Sequence, residues 1–302
     1  MGKINRRKNI VTIEESVDRY LANCRHRHLA EETLKTYTLH LTKFYIGMPE
    51  MSIAEVKQQH VMDFITEFED THDYGTRSMN NLMRYINVFF KFCKKEHLTE
   101  ETIVLSYRKQ EKKIQFTPTD NQVRVLLKEP DIEICSFNEL SCHVIVMLIV
   151  STGLRINSIV NIRFSDLHLE KGFINVKITK SKREERVFLP KKMIKSLKNY
   201  IECINTGSDY LFPYSNDEVL KSQSASMNVI RFCRDRGIPE CNCHSLRRYF
   251  ACSFLKETGD LNALKVLLHH SDISITQKYV ESLDIESYRV ESIDHNPLNK
   301  FL

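Results

Sequence analysis

No stretch of the 302 residues is apolar for long enough to cross a bilayer: the longest run, Val144 to Val150, is far shorter than the about 20 residues a spanning helix needs. The N-terminus is basic and polar and lacks the apolar core of a secretory signal, and Arg6 stands where a myristoylation signal after Met1-Gly2 has Ser or Thr. These absences predict a soluble, cytoplasmic protein without a membrane partner. Regular cysteine spacing is also missing: nine cysteines, an odd number, scatter from Cys24 to Cys252, which fits free thiols in a reducing compartment better than a disulfide framework. Cys241-Asn242-Cys243-His244 has no second pair at finger spacing, so its cysteines are read as small packing residues rather than zinc ligands. A strong charge of one sign is absent as well, with 44 basic against 39 acidic residues and a net charge of +5, so charge permits a nucleic-acid partner without demanding one. No internal repeat and no low-complexity tract interrupts the chain.

What is present is apolar content of 42%, enough to bury a core in each of two domains. Residues 1 to about 10 are basic and polar, and Thr12-Ile13-Glu14-Glu15 reads as a helix start with acids in its first turn. Three apolar stripes at spacings of three and four follow. Val17, Tyr20 and Leu21 make the first, Leu34, Tyr37, Leu41, Phe44 and Tyr45 the second, and Met79, Leu82, Met83, Ile86, Phe89, Phe90 and Cys93 the third. The aromatics among them are read as core rather than as a base-stacking platform, and a bundle of about four helices over residues 1–110 is the expected product. The charged run Arg108 to Lys113, followed by Thr117-Pro118, predicts a linker at 111–118, leaving 119–302 as a second domain.

The second domain opens helical to Val150, where Ser151-Thr152-Gly153 breaks the run just before Arg155. The period then changes: Gly172 to Ile178 and Arg186 to Leu189 predict two strands around a polar turn holding Lys180 and Lys182. Helix returns after Pro190. The chain is thus mainly α with a small β-hairpin or sheet.

Chemistry concentrates in the last third. His244 and Arg247 lie three apart at a helix head whose inward stripe is Leu246, Phe250 and Phe254, so they share a face. Arg offers a permanently charged fork of donors matched to phosphate oxygens, and His exchanges a proton near neutral pH. Arg155 is the candidate second cation, since a phosphoryl transition state spreads charge over several oxygens. Asp260 starts a further helix that ends at His269-His270, and Ser274-Ile275-Thr276-Gln277 has capping-box form, which puts Tyr279 near the first turns of a fresh helix. Tyrosine is a covalent nucleophile when cations and a proton acceptor adjoin it. Taken singly, each of these residues has an ordinary structural reading, as a cap, ion pair or packing group.

Taken in order, Thr152-Gly153-Leu154-Arg155, the hairpin lysine, His244-Ser245-Leu246-Arg247, Leu267-Leu268-His269-His270-Ser271 and Thr276-Gln277-Lys278-Tyr279 resemble the tyrosine recombinases, or phage integrase family, most closely its short Xer-like members. The resemblance implies a mixed α/β catalytic domain of tyrosine recombinase type and, for residues 1–110, a SAM-like core-binding domain. It implies that Arg155 and Arg247 clamp the scissile phosphate of a double-stranded DNA recombination site, that His244 and His270 hydrogen-bond it and assist proton transfer, and that Tyr279 forms a 3′-phosphotyrosyl link. Lys180, with Lys182 as the rival, is then the acid that protonates the leaving 5′-oxygen. Neither a metal nor a nucleotide cofactor is called for, because fixed cations replace the metal and the covalent link conserves the bond energy. A dimer on each site and a tetrameric synapse are implied too. With a DNA partner in view, Lys35, Lys43, Arg77, Asn80, Asn81 and Arg84, which fall off the N-terminal stripes, become candidate DNA contacts.

The chain departs from the family pattern at three places: Ser158 replaces an acid three residues after Arg155, His269 replaces the usual glycine and is placed to compete with His270, and Arg248-Tyr249 replaces His-Thr. No separate arm-site module is expected ahead of the bundle. The apolar groups after the tyrosine, Val280, Leu283, Ile285, Tyr288, Val290 and Ile293, are too few for a unit of their own, and the resemblance implies a tail that docks on a neighbouring protomer when DNA is bound, with packing in cis as the open alternative. Two other readings use the same residues: a catalytically silent DNA-binding protein of this fold, and a type IB topoisomerase-like or telomere-resolving enzyme.

Overall fold

The computed structural model describes residues 11–110, 115–178, 183–204, 207–214, 218–270 and 272–280. Lys180, Lys182 and the tail beyond Val280 lie outside them. The chain divides into two compact units, Met1–Lys112 and Lys113–Leu302.

Among the described residues the first unit carries four α-helices, α1 (Ile13–His26), α2 (Glu31–Gly47), α3 (Gln58–Thr71) and α4 (Thr76–Lys95). Thr12 begins α1 with a full capping box, its hydroxyl accepting from Glu15 N and the Glu15 carboxylate accepting from Thr12 N. The predicted stripes point inward: Val17, Tyr20, Leu41, Phe44, Met79, Leu82, Ile86, Phe89 and Phe90 are all buried in one cluster. Leu34, Tyr37 and Tyr45 lie partly buried at its margin.

The stretch after α4 ties Arg108, the first residue of the charged run, to the first unit. Three side-chain amides each clasp one backbone residue there through both of its polar groups: Gln58 holds Val104, Asn87 holds Leu105 and Asn80 holds Arg108, at 2.7 to 3.1 Å. Ile103 and Leu105 are buried, and the Arg108 side chain pairs with Glu69. Backbone groups without a strand or helix partner are thereby satisfied by amides, each of which offers one donor and one acceptor.

The second unit is built on α6 (Phe137–Thr152), which is buried on nearly every side and packs against α8 (Lys191–Cys203), α9 (Ser222–Asp235) and α10 (Cys243–Thr258). A helix apolar all round belongs in the middle of a domain. Around it lie α5 (Asp120–Leu126), α7 (Ile156–Val160), α11 (Leu261–Leu267) and α12 (Ile273–Val280). The sheet is antiparallel in the order β1 (Leu167–His168), β2 (Phe173–Ile178), β3 (Arg183–Phe188), with Phe173 opposite Phe188 and Val176 opposite Glu185. β1 escapes sequence reading because two residues show no period. The helix that carries Tyr279 also starts differently from expectation: Ser274 lies inside α12, and it is Asp272 whose carboxylate accepts from Ser274 N, at 2.9 Å. No helix among the described residues is long and apolar enough to cross a membrane.

Candidate active site

Three segments of the second unit converge: the corner between α6 and α7, the head of α10, and the loop joining α11 to α12. At the corner Gly153 stops α6 with a φ of 66°, and a Cβ there would lie 2.4 Å from Phe250 Cδ1 and 2.7 Å from Leu268 Cδ2. Only glycine meets both demands. Thr152 donates its hydroxyl to Leu148 O at 2.6 Å and accepts from Leu154 N at 3.3 Å, while Leu154 is buried. The turn so held delivers Arg155 half-buried at the head of α7, and its side chain makes no hydrogen bond or ion pair among the described residues. Ser158, at the position where the family has an acid, is buried in α7.

Asn242 caps α10: its side-chain Oδ1 accepts from the backbone N–H of His244 at 2.9 Å and of Ser245 at 3.0 Å. His244 keeps solvent access on this first turn, whereas Arg247 is only 4% exposed. The Arg247 guanidinium donates to the carbonyl of Gly153, to the carbonyl of Leu268 at 2.8 Å and to His270 Nε2 at 3.0 Å, and it reaches the Tyr279 side chain. Burial first, and repulsion from Arg155 second, lower its pKa to about 10, so it is still a cation at neutral pH.

His270 owes its place to the end of α11. His269 N donates to Val266 O at 2.9 Å and His270 N to Lys265 O at 3.0 Å, the two bonds of a Schellman ending. The residue that must be left-handed in such an ending is His269, with φ of 52°. Its ring turns to the carboxylate of Glu185 on β3, so it does not compete with His270 for Arg247. His270 is buried, with Nδ1 2.9 Å from the hydroxyl of Thr276, itself fully buried in α12. Arginine can only donate, which makes Nε2 the acceptor and assigns the imidazole proton to Nδ1. Tyr279, three residues after Thr276, lies parallel to the His270 ring with centroids 6.1 Å apart and packs on Ala251, Leu255, Leu264 and Leu268.

The electrostatics of this surface are one-sided. The pKa of His244 is lowered by desolvation and then by Arg247, Arg248 and Arg155; that of His269 is lowered by desolvation, with Glu185 opposing and Arg247 and Arg155 adding to it. Mutual repulsion of this kind is relieved by a bound anion. A cavity of about 480 Å³ in this unit lies away from the site, lined by Ser136, Glu139, Phe232 and Arg236 among others.

Of the residues predicted from sequence, Arg155, His244, Arg247, His270 and Tyr279 come together here. Arg248 and Tyr249 do not face the site; they anchor α10 to the start of the unit through Phe116 O, at 2.6 Å, the Gln115 side chain, and Asp120, at 2.9 Å. In the first unit, Lys43 bonds the Tyr74 hydroxyl and lies over its ring, and Arg84 lies over Tyr85, with Arg77 exposed nearby in sequence. Asn81 is half-buried, and Lys35 makes only a loose exposed pair with Glu32 at 3.9 Å. Asn80 commits its amide to Arg108. Sequence reading quoted Thr276 in a cap and in the tyrosine motif but missed its bond to His270, and it missed Glu185, which nothing but strand register brings near, and His40, stacked on Tyr85 at 4.6 Å.

Residues 117–286 match the model of the phage integrase family, and residues 17–100 match that of the phage integrase N-terminal SAM-like domain. Tyrosine recombinase XerA of Pyrococcus furiosus is 28% identical over 253 residues, 83% of each chain. Tyrosine recombinase XerD of Yersinia pestis is 28% identical over 283 residues, 90% of this chain and 93% of its own. Among solved structures, a lambda integrase dimer bound to a COC′ core site matches with a TM-score of 0.73 at 18% identity, covering 89% of this chain and 95% of that one. The Tn1549 transposon integrase in complex with a circular intermediate DNA matches with a TM-score of 0.74 at 13% identity, covering 95% and 100%.

Proposed function

The chain belongs to the phage integrase family, and on that premise we propose that it is a site-specific recombinase that cuts and rejoins double-stranded DNA through a 3′-phosphotyrosyl intermediate. The observation that carries the reading is a phenol set against Arg247 within a group of mutually repelling cations, Arg155 standing without a partner among the described residues. In the proposed reaction Arg155 and Arg247 hold the non-bridging oxygens of the phosphate, where fixed donors stabilise charge that grows in the transition state. The Tyr279 oxygen forms the new bond to phosphorus as the 5′-oxygen departs. His244 hydrogen-bonds the phosphate and carries the phenol proton away, while His270, with Nε2 accepting from Arg247 and Nδ1 donating to Thr276, orients that arginine in place of the direct phosphate contact the resemblance implied; Lys180, or its neighbour Lys182, supplies the proton to the leaving oxygen. Attack by the 5′-hydroxyl of a partner strand reverses the step and exchanges strands.

Lambda integrase has been captured as a dimer on a core site and as a tetramer on a Holliday junction. By that likeness this chain assembles as a dimer on each site and a tetramer at synapsis, in the cytoplasm. Lys43, Arg77, Asn81 and Arg84, with Lys35 as a weaker member, are the proposed phosphate contacts of the N-terminal unit; Asn80 serves Arg108 instead.

The test is a nicked suicide duplex run on a denaturing gel. Tyr279→Phe is expected to bind the duplex and form no covalent adduct. An adduct at the unmodified level would refute the assignment, and one mapping to Tyr288 would move the nucleophile. Exchange between two labelled duplexes, as opposed to relaxation of a single plasmid, separates recombinase from topoisomerase.

A further inference from the structure

Three non-glycine residues of the described chain are left-handed, and all three are histidines that follow a helix: His28, His97 and His269, with φ of 54°, 54° and 52°. Each sits in the same two-bond helix ending. The backbone cost of such a residue, roughly 1 kcal/mol relative to glycine, is therefore common to the three. Their side chains differ. His28 and His97 are exposed, whereas the His269 side chain is 11% exposed and paired with Glu185 of β3.

That pair joins two segments with different duties. His269 precedes His270, whose ring contacts Arg247, and the Schellman bonds leave little freedom between the two. Glu185 lies two residues into β3, opposite Val176 of β2. The turn linking these strands carries Lys180 and Lys182 in the sequence and lies outside the described residues. The charged groups that face His269 are Glu185 from β3, which favours its protonation, and Arg247 from α10 and Arg155 from the corner before α7, which oppose it. The carboxylate is the one acid among them, so it also offsets part of the repulsion between the arginines.

We propose that His269 and Glu185 form a positioning pair that holds the β2–β3 hairpin at a set distance from the His270–Arg247 phosphate site. The inference rests on the recombinase reading and deepens it: a side chain at a position where backbone geometry favours glycine is used to align the hairpin, and with it the leaving-group acid, with the phosphate.

The test compares an ordinary suicide duplex with one whose scissile bond has sulfur at the bridging 5′ position. A thiolate leaves without protonation, so hairpin alignment matters for the first substrate and little for the second. His269→Gly suits the backbone and is expected to melt no lower than the unmodified chain and to bind a half-site equally well. It should cut the ordinary strand slower by on the order of tenfold to a hundredfold, the usual cost of slight misplacement, and cut the sulfur-bridged strand near the unmodified rate. Glu185→Ala should do the same, and the double variant should be no slower than the slower single one, because one contact is lost in each case. An unchanged rate for either single variant on the ordinary strand overturns the proposal, as does an equal slowing on both substrates, which would place the effect in the phosphate clamp. Failure of the unmodified chain to form an adduct on either duplex is a distinct result: it overturns the recombinase reading, and the pair's proposed role with it.

Discussion

The head of α10 and the corner before α7 each deliver one arginine to the same surface, under opposite conditions. Arg247 is buried, strapped to the carbonyls of Gly153 and Leu268 and to His270. Arg155 is half-exposed, with no such partner among the described residues. One cation is part of the fold, and the other is the one the proposed reaction assigns to the phosphate. The difference teaches how a site can keep repelling charges together: the buried one is neutralised by backbone dipoles, so only the open one and its histidine neighbours depend on an anion.

The widest separation between the two regions comes from truncating each arginine. Arg247→Ala should both stop cleavage and lower stability, since up to three buried acceptors lose their donor, at about 1–3 kcal/mol for each one left unsatisfied. Arg155→Ala should cost about 2.7–4 kcal/mol in the cleavage barrier, as losing one transition-state contact does elsewhere, without lowering the melting temperature. Thermal melts alongside single-turnover cleavage check both; a melting loss for Arg155→Ala as large as that for Arg247→Ala would erase the contrast, and equal losses in affinity and rate would make Arg155 an anchor only.

A finer division is probed by Thr276→Val, nearly isosteric but unable to accept from His270 Nδ1. It should lower stability by about 1 kcal/mol and slow cleavage moderately, by less than either arginine change, because Arg247 still contacts Nε2. A cleavage rate equal to the unmodified one would show that the His270 tautomer is set without Thr276.

The smallest effect is with pH. His244, His269, the core residue His143 and His40 of the first unit all have pKa values lowered, chiefly by burial. A base whose folded pKa lies below its unfolded value leaves the unfolded chain holding more protons in the window between them, so its contribution is fully present above the ordinary value near 6.5 and is lost as pH falls below it. Melting temperature should therefore drop on going from pH 8 to pH 5.5. A duplex half-site should reduce the drop, since phosphate beside His244 favours its charged form; an equal drop with and without DNA would mean that no phosphate reaches it.

Much of the fold was legible beforehand because its causes are local. The period of Val17, Tyr20, Leu41, Phe44, Met79 and Ile86 turns inward wherever a bundle forms, and Thr12 and Asp260 cap the helices they precede. Ser274 misled because a capping pattern says nothing about a better acceptor two residues earlier, Asp272. The strand Leu167–His168 was too short to carry a pattern, and the clasping of Val104, Leu105 and Arg108 left no local mark because the amides that make it lie 18 to 46 residues away.

By itself, then, the sequence determined two apolar cores, the helix caps, the glycine that must end α6, and a set of phosphate-handling residues in order along the chain. Their spacing is a property of neighbours, which a short stretch of chain already contains. The tertiary structure alone decided which arginine is buried, that its donors meet Gly153 O across 94 positions, and that His269 turns from His270 to Glu185. Those outcomes depend on where distant backbone carbonyls and strand registers arrive once the cores have closed, and no local pattern specifies that.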